Sequence, residues 1–495
     1  MLMKNKRILI LIIGSFLFLS MISLQCLSAA TVPIDNSTAG GIAQGLNDAG
    51  PDGTLILKNG TYTGPDNIGI FINDGVTIQG EGSGKGVVID GDFVNTIFII
   101  NTTSNINVTF IDLNFINGYA HYYGGGGALF MNGTNLMVTF INCSFVNQEG
   151  YHNGGAICNY YGDLIISGCN FTNTSCSGYF GDGGGAIFNY KGFLNLTDSN
   201  FTNCRMIGHQ CFGGAVYADS NAYIANCNFI NCYSSYGGGA VGYFGTGYVG
   251  IDFVNTTIIN CNFINNTAVT FGGAVVWSSA NGSITRCNFV NNKVLYDTAT
   301  WGGGGAIALG VTIIDIQYNR FLNNTAITGG TILNTSNSGY IDYINLDFNW
   351  WGSNTPTNLG ENITINNWFV VDVVPVTLNG KIASFKYIMK LSNDYTSYDI
   401  SRLANFEGFA TTTLSNGIKT FSANLVQDIT LENSLTGNAV YSFTIDNQKF
   451  TFNGSNMPGV LPDKIDIDNT NADIAPQQIA TRTVLESIIF SLLIT

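Results

Sequence analysis

The chain reads as all-β: a parallel β-helix solenoid followed by a small Ig-like antiparallel β-sandwich. Three observations predict this. A Phe-x-Asn box returns at Phe115, Phe145, Phe171, Phe201, Phe229, Phe263, Phe289 and Phe321, at intervals of about 26 to 34 residues. Glycine runs ending in Ala128, Ala156, Ala186, Ala215, Ala240, Ala274 and Ala306 alternate with the boxes, and Gly329-Gly330-Thr331 is a degenerate eighth. The residues between carry strand-like alternation and no helical window. Self-similarity at this period denotes a solenoid, propeller or array. About three short strand segments per period select one coil of a parallel β-helix, stacked on the next at roughly 4.8 Å.

Each part of the repeat has a physical reason. In Ile258-Ile-Asn-Cys-Asn-Phe-Ile-Asn265, alternation puts Ile259, Cys261, Phe263 and Asn265 on one face and Asn260 and Asn262 on the other. Stacked Phe side chains fill the interior as an aromatic ladder. Asn two residues after the Phe tolerates turn conformations and can hydrogen-bond along the axis. The glycines permit a sharp corner with positive φ, and Ala is small enough for the crowded interior beside it. Two residues before each Phe stand Cys143, Cys169, Ser199, Cys227, Cys261 and Cys287. They read as one inward column of buried small hydrophobes, with free thiols.

Flanking segments follow. Lys4, Lys6 and Arg7 precede an apolar run from Ile8 to about Leu27, and Ser28-Ala29-Ala30 then resembles a cleavage site. Residues 1–30 therefore read as a secretory signal, with an uncleaved membrane anchor as the competing reading. Residues 31–110 hold an N-terminal cap, with a short helix over Ile42–Leu46, and the first coils: Thr54–Leu57, Val76–Gln79, Val87–Asp90. The boxed coils occupy 111–370 and close at Leu346-Asp-Phe-Asn-Trp-Trp-Gly-Ser353, where two tryptophans can plug the core. Residues 371–455 alternate in short runs broken by turns such as Ser415-Asn416-Gly417, which gives the sandwich, and 456–495 read as linker.

Composition narrows the partners. Only 10% of residues are charged and the net charge is −14, so nucleic acid and anionic lipid surfaces are disfavoured. Membrane association is expected only through the N-terminal segment or an additional anchor. The N-x-S/T sequons, including Asn101, Asn107, Asn195, Asn255, Asn265, Asn323, Asn362 and Asn453, would accept glycans in a competent exporter, yet many arise simply from an Asn/Thr-rich repeat.

Two motifs, GGAIFNY at 184–190 and CNFINN at 261–266, resemble the repeats of the chlamydial polymorphic outer membrane proteins. They look closer still to the adhesin-like surface proteins of methanogenic archaea. The stretches DGTLILKNGTYTG at 52–64 and FNWWGSNTPTN at 348–358 are similar to those proteins as well. The likeness covers about residues 40–370. It implies a right-handed β-helix and a non-catalytic surface role, binding glycans or proteins of host or syntrophic cells. Right-handed β-helices also include pectin-degrading lyases and hydrolases, which leaves a polysaccharide-degrading enzyme and a purely structural envelope spacer as alternatives.

No catalytic residue is assigned. Asp163, Asp182, Asp198, Asp219 and Asp252 fall at different phases of the repeat, so no face gathers three carboxylates, and Arg205, Arg286 and Arg320 stand isolated. Asp90-Gly-Asp92 fits a tight turn better than a catalytic dyad. His121, His152 and His209 each precede a Gly-Ala corner, with Asp182 on the intervening coil; stacked, the four could offer imidazole and carboxylate to a metal, against the plainer reading of solvated loops. No cofactor is expected. The same edge carries Tyr123, Tyr151, Phe180, Phe212, Tyr236, Phe271 and Trp301, which would stack on sugars or a partner if exposed and would merely cover the corner if buried.

Overall fold

The computed structural model describes residues 29–458, apart from 83–85, 122–123, 180, 245–253, 297–301, 328–329, 336–342, 361–362, 394–397, 414–416 and 434–438. The apolar leader up to Ser28, nearly all of the linker tail, and Tyr123, Phe180, Asp252 and Trp301 lie outside the described residues.

Four parallel sheets build a β-solenoid, three of them along its length and the fourth over its middle coils. A twelve-stranded sheet begins at Thr31–Ile34, takes the middle run of each coil (Asp163–Ser167, Leu194–Thr197) and ends at Tyr343–Asn345. One ten-stranded sheet holds the box strands from Gly60–Tyr62 to Arg320–Leu322; another holds the Gly-Ala strands from Ile70–Phe71 to Ile332–Asn334. The fourth, of six strands from Glu149–Tyr151 to Lys293–Val294, corrects the expectation of three segments per repeat. Its strands, such as Ser175–Gly178 and Arg205–Gly208, are two to four residues long and share no apolar pattern, so alternation could not reveal them.

Register is uniform. Phe145 pairs with Phe171, Phe171 with Phe201 and Phe201 with Phe229. The rings stack in an unbroken interior column: Phe145–Phe171 at 4.5 Å and 4°, Phe171–Phe201 at 4.6 Å and 2°, Phe263–Phe289 at 4.8 Å and 5°, Phe289–Phe321 at 5.0 Å and 11°. Each fully buried ring contributes roughly 1.5–3 kcal/mol by burial, with about 0.5–1.5 kcal/mol more for the ring contact.

Two left-handed residues bracket every box. Asn at Phe+2 has φ of 53–56° in all eight coils, from Asn117 to Asn323. A second corner sits three residues before the Phe, at Asn142 (φ 53°), Asn226 (56°) and Asn260 (54°) among others. Each corner resets the inside–outside phase, which plain alternation cannot anticipate. Hence Ile258 rather than Ile259 is buried, and Asn265 turns outward while Asn266 turns in. The third corner is the glycine pair. Gly184 supplies φ +76°, and a Cβ on Gly185 would lie 2.0 Å from the Gly214 carbonyl of the next coil. One glycine is needed for its φ and the other for its missing side chain.

The cysteine column does more than fill space. Cys169 Sγ accepts the Cys143 amide at 3.3 Å, Cys261 Sγ the Cys227 amide at 3.4 Å, and Cys287 Sγ the Cys261 amide at 3.4 Å. Ser199 Oγ takes the Cys169 amide, and Asn319 and Asn349 continue the column by accepting the amides of Cys287 and Asn319. A parallel column three residues after the Phe places Asn266, Asn292 and Asn324 inside, each accepting the amide of the preceding coil at 2.9–3.0 Å. These side chains satisfy buried N–H groups that the bent corners remove from the sheet ladders. The reading of the cysteines as plain hydrophobes is therefore corrected; all ten described cysteines are free and buried.

Both ends are closed. At the N-terminus the helix Gly41–Ala49, longer than the expected Ile42–Leu46, buries Ile42 in the core and sets Gly45 against Leu55. At the other end the tryptophans part. Trp351 stacks on Phe321 at 4.6 Å and finishes the ladder, while Trp350 enters the core of the C-terminal sheets. Those sheets are antiparallel, one of three strands (Phe369–Asn379, Ile382–Leu391, Gln427–Glu432) and one of four (Glu407–Thr412, Ile418–Ser422, Val440–Ile445, Gln448–Asn453). They face each other through Phe385–Phe443 at 4.7 Å and Tyr387–Phe421 at 4.9 Å. Arg320, expected to stand isolated, is bound into this junction by Asp446.

Candidate functional site

Asp163, Asp198, Asp219 and Asp90 serve one by one as acceptors. Asp163 Oδ1 takes the Phe193 amide at 2.9 Å, Asp198 Oδ1 the Asn226 side chain at 3.0 Å, and Asp219 Oδ1 the Lys191 amide at 2.9 Å. Asp90 Oδ1 takes the Asp92 amide at 3.0 Å, closing a local turn in which Asp92 has φ 50°.

Of the four histidine-edge residues, the structure brings two together. His152 Nδ1 lies 2.8 Å from Asp182 Oδ2, which also accepts the Tyr179 amide at 2.7 Å. Both stand four residues before their corner alanine, whereas His121 and His209 stand seven and six before theirs. Unequal loops carry those two elsewhere: His121 meets Tyr119 edge-on at 4.4 Å, and His209 is exposed. Among the described residues no group of three or more His, Cys, Asp or Glu side chains is placed to hold a metal ion.

The described edge aromatics, Tyr151, Phe212, Tyr236 and Phe271, are all half-buried. Phe212 meets Tyr236 at 5.1 Å and Tyr236 meets Phe271 at 5.5 Å, both edge to face. In register, Gly237 is bridged between Phe212 and Phe271, and a Cβ on it would come within 3.2 Å of the Phe212 ring. The row thus packs over bare backbone at the corner.

A different aromatic cluster escaped the sequence reading. On the outward side of the Gly-Ala strands, Phe188 stacks on Tyr217 at 5.3 Å, Tyr160 meets Phe188 at 5.5 Å, and Tyr161 meets Tyr190 at 5.7 Å. Asn153 Nδ2 donates to Tyr160 Oη at 3.1 Å and holds that ring in place. Lys191 Nζ stands 5.0 Å from the Tyr190 ring centre and 5.8 Å from that of Tyr161. Beneath lies Asp219, only 3% exposed, whose carboxyl burial pushes up to about 6. The cluster is local, because later coils place Gly242, Val276 and Ala308 where Phe188 and Tyr217 stand. Two signals could have found it: the paired stretches CNYYGD at 158–163 and FNYKGF at 188–193, and Lys191 as the single Lys or Arg between Lys85 and Arg205.

Compared with family models, curated proteins and solved structures, the chain matches none.

Proposed function

We propose that the protein is a secreted or cell-surface adhesin-like protein that binds neighbouring or host cell surfaces, through their glycans or proteins, without catalysis. One observation carries this reading: Asp163, Asp198 and Asp219 each accept from a backbone or side-chain amide rather than facing a second carboxylate, while the outward box face is neutral. From Asn170 through Asn200, Asn228, Asn262 and Asn288, each side-chain amide donates to the one before at 2.7–2.9 Å. No charged residue occupies the box segments between Asn114 and Asn291. An acid–base pair across a glycosidic bond requires two carboxyls facing one cleft, whereas a long neutral amide surface suits extended contact.

The test immobilises the full chain on beads, measures adhesion to cells, and incubates the same protein with polyuronate and neutral glycans. Adhesion without new reducing or unsaturated ends is the expected result; turnover of any glycan would overturn the reading. A spacer without ligands is the second reading, favoured by the edge aromatics packing over Gly237. It predicts no adhesion above that of an unrelated acidic protein.

A further inference from the structure

We infer that the platform formed by Tyr160, Tyr161, Tyr190 and Lys191 is a carbohydrate subsite for a pyranose bearing a carboxylate. The inference rests on the binding reading above and names the chemistry of its ligand.

Three independent features point to it. The first is a break in the repeat. Most outward positions of the coils carry Asn, Thr or small aliphatic residues, yet here two adjacent coils present tyrosines whose rings contact one another. Tyr161 is 39% exposed, so its ring is not consumed by packing. Flat aromatic faces of this kind match the C–H face of a sugar ring.

The second is backbone strain. Tyr161 holds φ 93° and Lys191 φ 60°, where most left-handed non-glycine residues are Asn or Asp and the other bulky exceptions include Phe93, Arg286, Tyr318 and Phe348. A bulky residue in that region is unfavourable, and such residues gather where a side chain must be aimed. Here the two aim an aromatic face and an ammonium at the same patch.

The third is charge. The chain carries −14, and Lys191 is the single cation across more than a hundred residues of solenoid. Its ammonium lies over two tyrosine rings at an exposed rim. A neutral sugar would use only its hydrogen bonds and not its charge. A carboxylate on the stacked ring would find there its one complementary partner on this part of the surface.

The experiment titrates the full chain calorimetrically with a glucuronic-acid-terminated oligosaccharide and with its carboxyl-reduced analogue. The expected result is binding of the acidic probe, about tenfold weaker for the reduced analogue and for Lys191→Gln. Tyr161→Gly should abolish binding while leaving Tm unchanged or raised, because glycine accepts φ 93° without strain. Equal affinity for both probes, an unaffected Lys191→Gln, or full binding by Tyr161→Gly would overturn the inference. If the acidic probe fails to bind while the chain still adheres to cells, the subsite falls and the adhesive reading stands. If adhesion is also absent, the adhesive reading itself fails.

Discussion

Asp446 is the single acceptor for two donors from the last coil. Its Oδ2 takes Arg320 Nε at 2.8 Å and Trp350 Nε1 at 2.7 Å, and its own side chain is 4% exposed. Arg320 also lies over the Phe406 ring at 4.9 Å, and Asn447 reaches Asn323 at 3.1 Å. The C-terminal sheets are therefore locked onto the end of the solenoid, covering a terminal coil that would otherwise expose strand edges.

Removing that carboxylate leaves a part-buried guanidinium and an indole N–H without their acceptor. Asp446→Ala should cost about 3–5 kcal/mol. Urea unfolding followed by tryptophan fluorescence should move to lower midpoint, with the C-terminal sheets melting ahead of the solenoid. An unchanged midpoint would mean that the junction is not held by this residue.

The thiol column gives a graded prediction. Cys261→Ser keeps an acceptor for the Cys227 amide, whereas Cys261→Ala leaves that buried N–H unpaired. The alanine variant should lose about 1–3 kcal/mol relative to the serine variant. Burial holds the Cys143, Cys227, Cys232 and Cys261 thiols well above the ordinary thiol range. They should resist thiol reagents in the native protein and react on unfolding. Since these folded values are raised, the associated stability is present at neutral pH. It is lost as pH rises from the ordinary thiol range toward the raised values.

Asp219 offers a test of sign. Burial raises its carboxyl to about 6, above the unfolded value near 3.9. Its contribution is fully present below pH 3.9 and lost as pH climbs through about 6. Asp219→Asn retains an acceptor for the Lys191 amide and removes the buried charge. It should stabilise the protein by up to about 2 kcal/mol at pH 7.5 and change little at pH 4. Thermal melts at the two pH values read the difference.

A corner glycine separates from a loop glycine. Gly185→Ala would drive a methyl into the Gly214 carbonyl and should cost about 2–3 kcal/mol. Gly181 has φ +83° but open space around it, so Gly181→Ala should cost only about 1–2 kcal/mol, from the backbone alone. Equal costs at both sites would contradict the close coil-to-coil approach.

Much of this was legible before any coordinates. The Phe column, the Gly-Ala corners and the stacked coils follow from period and alternation, because each coil must repeat the same contacts with its neighbours. What alternation hides is phase. A left-handed Asn at a corner shifts the inward set by one residue, which is why alternation places Ile259 and Asn265 inside where the structure has Ile258 and Asn266. The pairing of His152 with Asp182, and the loss of His121 and His209 from that edge, depended on loop lengths before each alanine. The Tyr160–Lys191 platform was hidden differently: it is not repeated, and attention to repeats passes over what occurs once or twice.

The central claim is that one box with one Gly-Ala corner is one interchangeable scaffold coil. Deleting residues 262–287 joins Cys261 to Asn288 and brings Phe229 against Phe289 in the register that Phe263 now provides. Thermal unfolding of this variant, followed by far-UV circular dichroism, tests the claim most directly. A retained β spectrum with a single cooperative transition, a few degrees from that of the parent chain, is the predicted result. A chain that is unfolded or aggregated after this deletion, and no better than one shortened by half a coil, would contradict it.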